Sequence, residues 1–185
     1  ILENINEPRL MLIAKHNKGV TYFYLGEHAK ARDLIKEAMT SFLEINNQVS
    51  LIESYLFLGK IDKETGNFTG SKTNLETALS LSKKTNSIDN VIKISLELCE
   101  LFMVRQQYNE AFLQLDTISD YIEKSENPEL LKQVYEFYFI LNTKLGKNDK
   151  ALNYFERYKV LTDSLYDVTR LNQIEILKAN FDFEN

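Results

Sequence analysis

A chain of 185 residues, 44% hydrophobic and 26% charged, has the make-up of a folded globular protein and can form one elongated domain or two small ones. Two prolines and six glycines are too few for a turn-rich sandwich or barrel, and a net charge of −5 argues against a nucleic-acid face, which needs clustered Lys and Arg. No run reaches the roughly 18 apolar residues of a membrane span, and a single cysteine, Cys99, allows neither an internal disulfide nor a cysteine-rich zinc site.

Taken along the chain, the sequence predicts helices in pairs. Residues 1–5 read as the end of an upstream repeat, and a chain that opens on Ile1 is expected to be part of a longer protein. The first pair is expected at about 8–45, broken by Gly26 and closed by Asn46–Asn47. The glycine is suited to the left-handed position just past a helix end, where it carries no Cβ penalty. The second pair, about 48–85, sets Tyr55, Leu58, Ile61 and Asp62 at helical spacing before Gly66, and Leu75, Ala78, Leu79 and Leu81 after it. Asn86–Ser87 close that pair.

The third pair, about 88–125, has Gln106–Gln107 where the glycine is due, so its turn closes at some cost; Glu126–Asn127 follow it. The fourth pair, about 128–163, regains its glycine at Gly146. It also carries Phe139 and Tyr158 where small residues are expected, so the pair must splay or the rings must point elsewhere, by repacking on a fifth helix or by forming a pocket. A fifth, capping helix is expected at about 168–184, where Leu171, Ile174, Leu177 and Phe181 form one apolar stripe.

The elements obey a period of 40. Gly26, Gly66, Gln106 and Gly146 form one column; Ala31, Ser71, Ala111 and Ala151 form a small one. Gly19, Gly59, Cys99 and Phe139 form another, and Ile35, Leu75, Leu115 and Phe155 a large apolar one. Pro8 and Pro128 stand three periods apart. Small residues in both helices of a pair let the backbones approach, and large ones fill the adjoining groove.

The spacing of Gly19, Tyr22, Gly26, Ala31, Ile35 and Ala38, and of Tyr55, Leu58, Gly59, Gly66, Leu75 and Ala78, resembles the tetratricopeptide repeat. The common repeat has 34 residues, so about six are added to helix ends or turns. The closing segment, Tyr154 to Tyr166, resembles the long-helix repeats of bacterial sensor histidine kinases and transcriptional regulators. The resemblance implies an all-α, right-handed superhelical solenoid of antiparallel helix pairs over 1–185. It implies a protein- or peptide-binding module, sensory or regulatory within a larger bacterial protein, or else a stand-alone scaffold. The compartment stays open between cytoplasm and periplasm.

In that family the first helices line a groove. The resemblance places there Ile13, His16, Val20 and Phe23; Glu53, Leu56, Lys60 and Lys63; Lys93, Leu96, Glu100 and Met103; and Gln133, Glu136, Ile140 and Thr143. A lining of mixed apolar and charged side chains suits a peptide or helix. The family's carboxylate-clamp slots hold His16, Val20, Phe57 and Glu97, with Lys93 alone matching, so a C-terminal-carboxylate clamp is not expected.

No catalytic constellation is predicted. Cys99 has no base motif beside it and occupies a packing slot. His16 and His28 lack metal-ligand spacing, the acidic residues do not alternate as in a calcium loop, and Gly66–Gly70 follows no strand. The expected chain is a non-enzyme without cofactor or metal, with no direct nucleic-acid contact. Its partner is a protein or peptide, a second copy of the chain included.

Overall fold

The period of 40 comes from helix length. In the computed structural model, which describes the backbone of residues 3–184 and the side chains of residues 9–167, every described element is a helix. They are α1 (Glu3–Tyr24), α2 (His28–Glu44), α3 (Gln48–Glu64), α4 (Phe68–Lys84), α5 (Ile88–Val104), α6 (Tyr108–Asp116), α7 (Ser119–Ile122), α8 (Pro128–Lys144) and α9 (Asn148–Glu184). Helices α2, α3, α4, α5 and α8 each have 17 residues. Three-residue turns join α1 through α6, so two helices and two turns fill one period. The six residues beyond the common repeat lie in the helices.

One chemistry closes these turns. The Gly26 N–H donates to the Phe23 carbonyl at 3.0 Å and the Glu27 N–H to Tyr22 at 2.9 Å; Gly66 with Asn67, and Gly146 with Lys147, repeat the pattern. These are Schellman closures, which satisfy the orphan carbonyls of the preceding helix. Gly26, Gly66 and Gly146 hold φ of 77°, 78° and 71°. Between pairs, Asn46 and Asn86 take the same left-handed position (φ 50° and 51°). Gln106 takes it too, at φ 59°, as the missing glycine requires.

The chain packs as two compact units, Ile1–Gln106 and Gln107–Asn185, where the sequence predicted one domain over 1–185. The division falls at the turn without glycine. In the first unit the small-residue column does what its register demands. A Cβ on Gly59 would lie 2.7 Å from Leu75, so only glycine lets α3 and α4 meet there. Ile52, Leu56, Leu75, Ala78, Ile94, Leu98 and Leu101 form one core cluster, and Ala31, Ile35, Leu58 and Ile61 another. Buried Asp62 ties three elements together. Its carboxylate accepts from Arg32 Nη1 at 2.7 Å, Asn67 Nδ2 at 3.0 Å and Asn74 Nδ2 at 2.7 Å, which holds α2 and α4 to α3.

The second unit departs from the predicted pairs. The second helix of the third pair is broken into α6 and α7 at Thr117–Ile118, in a stretch of Asp, Thr, Ile and Ser with weak helix propensity. Helix α9 corrects the predicted boundary near 163–168. The expected second helix of the fourth pair and the expected capping helix are one helix of 37 residues, because no glycine or proline interrupts them. The stripe of Leu171, Ile174, Leu177 and Phe181 lies outside the described side chains. Helix α1 likewise starts at Glu3, ahead of the start predicted near Pro8. Phe139 and Tyr158, for which the sequence predicted splaying or rings pointing elsewhere, both lie against Phe155, at 5.3 and 6.5 Å, and Tyr138 stacks on Tyr154 at 4.5 Å.

Candidate functional site

The first helices of the first unit, α1, α3 and α5, lie in sequence order, with α3 touching both others. The predicted groove positions on them divide by burial. Glu53, Lys93 and Glu100 are exposed, and Ile13, Val20, Phe23, Lys60, Lys63 and Met103 are half-buried. Three positions are corrected: His16, Leu56 and Leu96 are only 3%, 5% and 4% exposed and offer a partner no surface. Leu56 belongs to the core cluster built on Leu75 and Ile94. Leu56 turns inward onto α4 and α5, and His16 onto Phe42 of α2 and Phe57 of α3.

The face that reaches solvent lies one residue further on, at half-buried Phe57 and Glu97. Phe57 is the hub of an aromatic group. Its ring stands edge-on to Phe23 at 5.8 Å, Tyr24 at 6.2 Å and His16 at 6.2 Å, geometry that aromatic quadrupoles favour. Tyr24 is 71% exposed. The Lys60 ammonium lies 5.9 Å from the Phe57 ring centre.

From there the face becomes ionic. Lys60 Nζ donates to Glu97 Oε1 at 2.6 Å, and Lys63 Nζ donates to Glu97 Oε2 at 3.0 Å and to Glu100 Oε2 at 2.5 Å. These bonds strap α3 to α5. Burial opposes the charge on Glu97, but Lys60 and Lys63 outweigh it and hold its pKa below the ordinary carboxylate value. Burial opposes the charge on Lys63 as well, and Glu97 with Glu100 hold its pKa above the usual lysine value. Two ammoniums against two carboxylates leave the network neutral, so it exerts no bare charge on an incoming carboxylate.

His16 is enclosed by the Phe42 and Phe57 rings, and its Nε2 makes no hydrogen bond. Burial lowers its pKa against the weaker upward pull of Asn17 and Glu53. In the second unit Gln133 and Thr143 are exposed and Glu136 and Ile140 half-buried, all on α8. Sequence reasoning did not select Tyr24, and it saw Phe57 and Glu97 only as mismatched clamp slots. The signal was residue type: of neighbours 56 and 57, and of 96 and 97, the leucine belongs inside.

Among the described residues no group of His, Cys, Asp and Glu is placed to hold a metal ion, and no helix is long and apolar enough to cross a membrane.

The tetratricopeptide repeat model matches residues 52–85, which cover most of α3 and α4. No curated protein matches the chain. Among solved structures, it is similar to aspartyl phosphate phosphatase F from Bacillus subtilis, with a TM-score of 0.80 and 18% identity over 91% of this chain and 44% of that one. It is similar to BtubC (BKLC) from P. vanneervenii, with a TM-score of 0.73 and 17% identity over 86% and 66%. A Podosopora anserina kinesin-light-chain protein with nearly identical TPR-like repeats gives 0.67 and 16% over 84% and 76%. The fold is therefore all-helical and tetratricopeptide-like. The chain spans less than half the length of the phosphatase and about two thirds of BtubC.

Proposed function

We propose that this chain is a non-catalytic protein- or peptide-binding module, with the open face of α1, α3 and α5 as its binding surface. The observation that carries this reading is the Tyr24–Phe57 ring pair, exposed at its Tyr24 end and set beside the Lys60–Glu97–Lys63–Glu100 network. Rings offer apolar area at low entropic cost, and the ionic network offers donors and acceptors already fixed in place. A peptide that buries one apolar side chain against Tyr24 and Phe57 and exchanges ions with Lys60 and Glu97 fits this surface. The neutrality of the network disfavours a free C-terminal carboxylate as the recognised group.

The module serves as the sensory or regulatory region of a larger bacterial signalling or transcription-regulating protein. Supporting this is the fold likeness to a bacterial protein that acts on aspartyl phosphate, of which this chain matches under half. A ligand that binds several first helices favours one arrangement of them by its differential affinity.

The test is peptide selection from a random library on the 185-residue chain. Tyr24→Ala, with unchanged melting, and Lys60→Glu, which also loosens the α3–α5 strap at Glu97 and so lowers the melting temperature, should each weaken the selected peptides roughly ten-fold or more. Peptides that bind both variants as tightly as the parent would remove this face from consideration. The same variants in the full-length protein should alter regulated output, and normal regulation there would sink the sensory reading alone.

A further inference from the structure

Position 166 departs from the first two turns of its column; in the third, Glu126 stands there and the chain leaves the helix without a left-handed residue. Three and two periods earlier, Asn46 and Asn86 hold left-handed φ and end α2 and α4. Asparagine tolerates that region and bulky residues rarely visit it. In the same column stands Tyr166, and α9 runs through it without interruption to Glu184. Residues 168–184 are in register with the first helices α1, α3 and α5. Because α9 is unbroken, they continue it instead of turning back over it.

The face they would cover is apolar and open. Leu152 is 59% and Phe155 40% exposed, and with Phe139 and Ala151 they line a groove of about 350 Å³. Two periods earlier, Leu75 stands in the slot of Phe155 and is fully buried, clustered with Ile94, Leu98 and Leu101 of α5. Leu171, Ile174 and Phe181 occupy the columns of Val91, Ile94 and Leu101, all three buried.

We propose that residues 168–184 of a second copy of this chain fill the groove, in a reciprocal exchange that pairs two α9 helices antiparallel. The register comes from the repeat. Arg32 meets Asp62 where α2 packs on α3, and Lys72 lies over the Phe102 ring where α4 packs on α5. Carried forward by whole periods, both pairs fall on positions 152 and 182. The point where α9 meets its own symmetry mate is midway, at 167. Tyr166, 69% exposed, adjoins it, on the helical stripe of Leu152 and Phe155.

The charges agree with this register. Glu156 falls opposite Lys178, Lys159 opposite Glu175, and Asp163 beside Arg170; the first member of each pair is exposed, while Lys178 and Glu175 stand in the columns of buried Leu98 and Ser95, so each charge enters the contact only with its partner. Such a contact is isologous and closes as a dimer. It repeats between copies the packing of a first helix on the preceding pair.

Sedimentation equilibrium of the 185-residue chain should give twice its 21.6 kDa. Mild oxidation should cross-link Tyr166→Cys between copies, Cys99 being buried. Lys159→Glu and Glu175→Lys should each raise the dimer dissociation constant about ten-fold, and the double variant should restore it. Tyr166→Gly should yield a monomer, because glycine allows the fold-back within one chain. A parent chain that stays monomeric at about 100 μM overturns the proposal, whether or not the charge swap alters its melting; a response there would assign the groove to the chain's own 168–184. A dimer indifferent to both charge reversals, or one that Tyr166→Cys does not cross-link, overturns it equally.

Discussion

At the scale of single residues, burial decides chemistry. Cys99 lies in the slot of Gly19 and Gly59, fully buried, and burial pushes its thiol up to about 12. The thiolate needed for reaction is scarce at neutral pH. Native labelling of Cys99 should be slow and should accelerate in denaturant. Cys99→Leu, which adds volume where two helices meet, should cost about 1–3 kcal/mol, read from the shift in denaturation midpoint. His16 shows the same principle with a pH signature. Its folded pKa lies below the unfolded value of 6.5. Above that pH both states are neutral, and the enclosed imidazole contributes its full stability. As pH falls below 6.5 the unfolded chain takes up the proton first, and stability declines until the folded pKa is passed. The slope is at most about 1.4 kcal/mol per pH unit. His16→Phe, which keeps a ring between Phe42 and Phe57, should flatten this decline between pH 6.5 and 5 in urea melts.

At the scale of elements, the helix ends set the architecture. Each turn between neighbouring 17-residue helices needs one left-handed residue. Gly66 supplies it with no atom near its missing Cβ, so Gly66→Ala tests backbone strain alone and should destabilise by about 1 kcal/mol. Gln106 supplies it against its preference, and Gln106→Gly should stabilise by a comparable amount, about 1 kcal/mol. Chemical denaturation of the two variants gives the signs directly, and like signs would contradict this account. Where the column of Asn46 and Asn86 holds Tyr166 no turn forms, and α9 results.

At the scale of the whole molecule, open faces decide what the chain can bind. The face of α1, α3 and α5 carries exposed Tyr24 and a neutral ionic strap, whereas the α9 groove is apolar and patterned for a helix. As proposed above, the first takes a peptide and the second a copy of the same chain. If the copies exchange residues 168–184, folding and association are linked, so the melting temperature should rise with protein concentration. Tyr166→Gly should remove that dependence. A parent melting temperature constant over a hundred-fold range of concentration would contradict it.

By itself the sequence determined the period, the helix pairs of the first unit and the glycine turn positions, because these rest on local preferences repeated in one register. Gly26, Gly66 and Gly146, the substitute Gln106 and the small slot of Cys99 all stand as that register requires. The tertiary structure alone decided which side of each first helix is open. Positions 56 and 57, or 96 and 97, differ by 100° of helical rotation, and only packing between helices, as of Leu56 on α4 and α5, fixes which of them points inward. It alone showed Asp62 holding Arg32, Asn67 and Asn74, since those residues are brought together by folding across three helices. It alone merged the expected fourth-pair helix and cap into α9, because helix propensity continued unopposed through a position where the repeat had elsewhere placed asparagine.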